Sequence, residues 1–236
     1  MLESRLLEQT TAMGLPMSRA QAEKFAAYHG MLVEANARMN LTRVPDDPVE
    51  AADRNYLDCV AVLAGNFPAV ETAVDVGSGA GFPGIPLSIM LPETRFTLID
   101  AMGKRVDFLN AVIERLGLNA RALHLRAEDA ARRADMREAF DLATARAVAP
   151  MNVLCEYLLP LVKVGGYALA LKGPGLDEEL AGAGRAAALL GGRLARVQPL
   201  AIPGRDWDHR VAWLVKEAPT PDQYPRRPGM AEKRPL

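Results

Sequence analysis

The segment Val74-Asp75-Val76-Gly77-Ser78-Gly79-Ala80-Gly81 constrains this chain more than any other. A short β-prone run that stops at alternating glycines ahead of a helix demands a strand, a sharp turn and a backbone that a ligand can approach closely. The rest of the chain repeats that rhythm. Strands are predicted over 72–76, 95–99, 122–125, 140–145, 167–171, 193–200 and 210–215. Helices are predicted over 103–116, 151–162 and 176–190. The fold class is α/β: a doubly wound, mostly parallel seven-stranded sheet covered on both faces.

Residues 1–66 read as an N-terminal helical extension packed on the core. Ser18 and Gln21 have capping-box spacing, and Phe25, Tyr28, Leu32, Ala35 and Met39 recur at helical steps as a packing face. Tyr56, Leu57, Val60 and Leu63 mark a second helical stretch. Residues 67–217 form the main domain. The Pro-rich, basic segment 218–236 reads as a tail that is extended or disordered when alone.

A chain of 236 residues with half its side chains apolar suffices for one such domain. With 28 basic against 29 acidic side chains there is no global field for nucleic acid, so a polyanion needs a local basic patch. No apolar run approaches the ~20 residues of a membrane span, and no signal-peptide pattern opens the chain. Cys59 and Cys155 read as buried thiols of a reducing compartment. The expectation is a cytoplasmic monomer with no membrane partner.

Asp100 closes the second strand, where a carboxylate can accept from a ribose diol. A dinucleotide fingerprint would be G-x-G-x-x-G, with pyrophosphate on free amides at a helix N-terminus. This loop reads G-x-G-x-G, Phe82 takes the third-glycine slot, and Pro83 and Pro86 contribute no N–H. Asp75 adds negative charge beside Gly77, Gly79 and Gly81. The loop therefore favours a cationic, phosphate-free adenosyl ligand, S-adenosylmethionine. Glu128 follows the third strand at the same sheet edge. It reads equally as an adenine contact and as part of a helix cap.

After the fourth strand stands Thr144-Ala145-Arg146-Ala147-Val148-Ala149-Pro150. It holds no Asn/Asp-Pro-Pro-aromatic box and no Pro-Cys nucleophile. Cys155 falls in an apolar helix. His29, His124 and His209 have no metal-ligand spacing, so no metal is expected. An acceptor with a free lone pair, such as guanine N7, needs only alignment and desolvation. Arg146 can present its planar fork to such a base or to phosphate.

DVGSGAGFPGIPLSI, LIDAMGKRVDFL, RAED, ATARAVAP and LPLVKVGGYALALKG, in this order, resemble the small-subunit ribosomal RNA guanine-N7 methyltransferase family, also called glucose-inhibited division protein B. The likeness extends upstream through Asn40-Leu41-Thr42 and Tyr56-Leu57-Asp58, and downstream to YPRRPG. It implies cofactor contacts at Gly77, Phe82, Asp100, Ala127, Glu128 and Arg146. It places Lys172 and Arg210 toward rRNA, and it implies methylation of one guanosine of 16S rRNA in the small ribosomal subunit. Asn55 and Cys59 depart from the family's usual His and Ser. Arg226 and Arg227 of the tail are expected to grip RNA phosphates. The competing readings are a methyltransferase acting on another RNA or a small molecule, an NAD(P)-dependent oxidoreductase, and a non-catalytic RNA-binding module. The oxidoreductase lacks a Tyr-x-x-x-Lys pair, since Leu161 stands at that offset from Tyr157.

Overall fold

The computed structural model describes residues 1–236. The expected strands and helices pair into one sheet of seven strands: β1 (Thr72–Val76), β2 (Arg95–Asp100), β3 (Ala120–His124), β4 (Phe140–Arg146), β5 (Val162–Lys172), β6 (Gly192–Pro199) and β7 (Arg210–Lys216). Their order is β3-β2-β1-β4-β5-β7-β6. All neighbours run parallel except β7, which is antiparallel to both β5 and β6. The chain winds outward from β1 to β3 and then returns to lay β4 against β1. That reversal opens a crevice at the carboxyl ends of β1 and β4, where ligands of open α/β sheets bind.

Alternate residues of each strand feed two separate cores. Ala73, Phe96, Leu98, Leu142, Leu169 and Trp213 face one side; Val74, Val76, Ile99, Ala143, Ala168 and Leu214 face the other. The first face is covered by α1 (Leu2–Ala12), α2 (Arg19–Met39), α5 (Gly84–Met90) and α6 (Gly103–Leu116). Ser18 and Gln21 close the capping box of α2 reciprocally. Its face buries Phe25, Tyr28 and Leu32, whereas Met39 lies beyond the sheet and is exposed. The second face carries α7 (Ala127–Ala130), α8 (Met151–Leu158) and α9 (Leu176–Leu189). The helix expected over 151–162 stops at Leu158 and tightens through a 3-10 turn, Leu159–Leu161. Pro160 has no N–H to continue an α-helix, and β5 begins directly after.

Between α2 and β1 the chain is irregular. A short α3 (Pro48–Ala51) passes into a π-helical turn, Ala52–Leu57, then α4 (Asp58–Val60) and a 3-10 turn. Single π turns insert an extra residue into a helix and recur at functional sites. Asp53, in this turn and fully buried, is held by two arginines from distant parts of the chain. Arg5 donates to both of its oxygens at 2.9 Å, and Arg205 donates at 2.6 Å. Burial pushes the Asp53 carboxyl up, but the two guanidinium partners outweigh it and hold it below the usual range.

The tail departs from expectation: it is docked, not free. Thr220 is buried and bonds Leu190 and Glu138. Arg137 donates to the carbonyls of Thr220 and Tyr224, and Ala231, in α10 (Met230–Lys233), joins the second core. Arg226 wraps the buried carboxylate of Glu156 with its backbone N–H at 2.7 Å and its guanidinium at 2.6–3.1 Å. That carboxylate must be neutralised once buried, and this need anchors a segment whose composition alone looks disordered.

Candidate functional site

The loop after β1 is built by left-handed glycines, with φ of 67° at Gly77, 58° at Gly79 and 110° at Gly81. A Cβ on Gly81 would stand 2.6 Å from Ile85 and 2.8 Å from the Tyr28 hydroxyl. Tyr28 itself donates to the Ala80 carbonyl at 2.6 Å, so helix α2 braces the loop. The loop's amides are used internally. Gly77 and Ser78 donate to the Ile99 carbonyl, Gly81 and Phe82 donate to the Ser78 carbonyl, and Gly84 donates to Asp75. Gly79 donates to Asp100 Oδ2 at 2.8 Å.

Asp100 is buried at the end of β2, with Oδ1 accepting from Met102 N–H at 2.9 Å and Arg105 3.5 Å from Oδ2. Its carboxylate is thus oriented from both sides and keeps further lone pairs. Asp75, expected to stand beside the ligand, lies beneath the loop and is sealed from solvent. It accepts from the Thr144 hydroxyl at 2.8 Å and the Gly84 N–H at 3.2 Å, tying β1 to β4 and to the start of α5. Burial pushes its carboxyl up to about 6 against these bonds. Ala127 and Glu128 follow β3 at the same edge. Both are buried, and Glu128 accepts the Gly229 N–H of the tail at 2.9 Å.

Arg146 ends β4 on the other side of the crevice. Its guanidinium lies 4.5 Å over the ring of Phe82, a cation–π contact in a desolvated setting. It also donates to Asp58 and to the Arg54 carbonyl at 3.3 Å. Phe82 belongs to an aromatic cluster with Tyr28 and Tyr56, at centroid distances of 5.7–5.9 Å. The next residue, Ala147, holds φ at 55°, a left-handed conformation that costs a non-glycine residue of order 1 kcal/mol or more. It turns Val148 back over Gly77, where the valine methyl would meet a Cβ at 2.8 Å.

A second cavity, of about 300 Å³, opens beside Arg146 and is lined by Arg54, Asp58, Lys172, Leu200 and His209 among others. The resemblance had touched Asp58 only as part of a matching tripeptide, and His209 had no signal at all. The π turn and the loop between β6 and β7 bring them together: His209 Nδ1 is 2.7 Å from Asp58 Oδ1. Three basic residues expected toward rRNA are otherwise engaged. Lys172 lines the cavity but bonds Glu179 at 2.6 Å and the Ala149 carbonyl at 2.7 Å. Arg210 is bracketed by Asp177 and Asp208. Arg226 is spent on Glu156; Arg227 alone of the tail pair is exposed.

The strand order, the glycine loop at the switch point and the acid at the end of β2 define a class I S-adenosylmethionine-dependent methyltransferase architecture. Solved structures share the fold. A branched-chain polyamine synthase from Thermus thermophilus aligns with a TM-score of 0.58 at 14% identity, covering 86% of this chain and 65% of that one. A TehB-like SAM-dependent methyltransferase from Corynebacterium glutamicum gives 0.51 at 18%, covering 80% and 99%.

Within that class the chain belongs to the GidB family, rRNA small subunit methyltransferase G, whose model matches residues 21–206. It is 42% identical over 227 residues to the ribosomal RNA small subunit methyltransferase G of Clostridium perfringens, with 95% of each chain covered. It is 42% identical over 237 residues to that of an Exiguobacterium species, with 100% of each covered.

Proposed function

We propose that this protein transfers a methyl group from S-adenosylmethionine to N7 of a single guanosine in the 16S rRNA of the small ribosomal subunit. The observation that carries the choice of cofactor is the internal spending of the loop's amides. The N–H groups of Gly77, Ser78, Gly79, Gly81, Phe82 and Gly84 all have protein acceptors. Only the Ala80 N–H lacks a protein acceptor, so a pyrophosphate, which needs several such donors free, finds one at most. What the crevice does offer is carboxylate at Asp100, aromatic surface at Phe82 and open space above Gly79, where no atom but the Gly77 carbonyl lies within 4 Å of a built Cβ. That set fits a cationic adenosyl ligand.

Gly77, Phe82, Asp100, Ala127, Glu128 and Arg146 would hold the cofactor, which supplies an electrophilic methyl on sulfur. The chain's task is then positional. Arg146, immobilised on Phe82 and Asp58, forms the boundary between the glycine loop and the second cavity. A base seated in that cavity faces the donor side. Guanine N7 carries its lone pair in the ring plane and needs no deprotonation. The cations lining the cavity are already matched by acids, so little attraction for naked RNA remains. This supports a structured ribosomal substrate over free RNA.

Calorimetry should show S-adenosylmethionine binding and no NAD binding. Incubating the protein with methyl-labelled S-adenosylmethionine and small subunits should place label in 7-methylguanosine at one position, with intact subunits preferred over naked rRNA. Binding of NAD in place of S-adenosylmethionine, or label in another nucleoside, would overturn the reading.

A further inference from the structure

The acceptor cavity has one carboxylate in its wall, Asp58. Its other ionisable lining residues are cations, and two of them are committed to acids outside the cavity wall: Arg54 to Glu50 and Lys172 to Glu179. Asp58 is held differently. His209 donates to Oδ1 at 2.7 Å and Arg146 donates to Oδ2 at 3.3 Å, so both oxygens are oriented. The side chain is 9% exposed, and that exposure is toward the cavity it lines. An ionised carboxylate has about four lone-pair directions, of which these bonds use two.

Among the bases, guanine presents two adjacent donors, N1–H and the 2-amino group, at the spacing of a carboxylate's two oxygens. Adenine presents an acceptor at N1, and the pyrimidines lack this donor pair. A carboxylate gripping that edge leaves N7 free. We infer that Asp58 is the guanine-reading group of this enzyme: it accepts from N1–H and the 2-amino group of the target base, and His209 is a positioning residue that fixes its carboxylate plane. This rests on the acceptor cavity receiving the base, as proposed above. Selection of the base then comes from this pair and not from Lys172 or Arg210, which are ion-paired with Glu179 and with Asp177 and Asp208.

The test pairs a base change with a protein change. Small subunits are reconstituted with 16S rRNA carrying inosine, which lacks the 2-amino group, at the guanosine that the enzyme methylates. Loss of one hydrogen bond to a charged group should lower kcat/KM of the unaltered enzyme by about 10- to 100-fold. Asp58→Ala should be impaired on guanosine and lose less than about threefold more on inosine, because the partner of the 2-amino group is already gone. An unaltered enzyme that methylates inosine and guanosine equally would overturn the inference, and this arm needs no variant to fold. So would additive losses in Asp58→Ala. If the unaltered enzyme formed no 7-methylguanosine on normal subunits, the proposed function would fail first, which separates the two outcomes.

Discussion

Gly81 shows how tightly single positions are specified. Its φ of 110° and the atoms 2.6 and 2.8 Å from a built Cβ leave no room for a side chain. Gly81→Ala should cost about 1–3 kcal/mol of stability and weaken S-adenosylmethionine binding, because relief requires Tyr28 to release the Ala80 carbonyl. Chemical denaturation and calorimetry would measure the two effects. His209 supplies a pH test. The hydrogen bond to Asp58 raises the imidazole above its ordinary pKa, so its stabilisation is complete below the unfolded value of about 6.5. It is lost as pH rises through the higher folded value. The Tm difference between the native protein and His209→Gln should be largest near about pH 6 and shrink by about pH 9. A difference that grew with pH would contradict the pairing. The glycines, Asp100 and Arg146 were legible in sequence because loop spacing is local. Asp58 with His209, and the capture of Arg226 and Arg210 by acids, were not: each pairing joins residues that only the folded sheet makes neighbours.

At the scale of elements, strand and helix periodicity located all seven strands, with errors confined to ends such as the Pro160 turn. The tail was misjudged because composition reports the absence of an apolar run, not the presence of a buried acid waiting for it. Arg226→Ala leaves Glu156 buried without a cationic partner, held only by the backbone N–H of residue 226, and should cost about 3–5 kcal/mol. Arg226→Lys should recover part of this, since it keeps charge but not the fork. Urea denaturation of the three proteins would rank them. Equal stabilities would mean that the tail is not anchored as described. The π turn was equally invisible: nothing in Ala52–Leu57 distinguishes it from an ordinary helix until Asp53 and Asp58 are seen facing different partners.

For the whole molecule, the two halves of the site differ in how they are assembled. The donor side draws mainly on residues 74–100, 127–128 and 146, with Glu128 bonded by Gly229 of the tail. The acceptor side joins residues 54–58 to 200–209 and is closed by Asp53, whose partners Arg5 and Arg205 lie 48 and 152 positions away. Asp53→Ala should abolish methylation while leaving S-adenosylmethionine affinity within about twofold, and hydrogen exchange should quicken over 50–58 and 200–209 together. Such distant closures are entropically the last to be made. Both halves therefore wait on late segments: the donor nest on Gly229, which bonds Glu128, and the receiving chamber on Arg205. The fold becomes competent for methyl transfer only once the stretch carrying Arg205 has come around to meet the first helix.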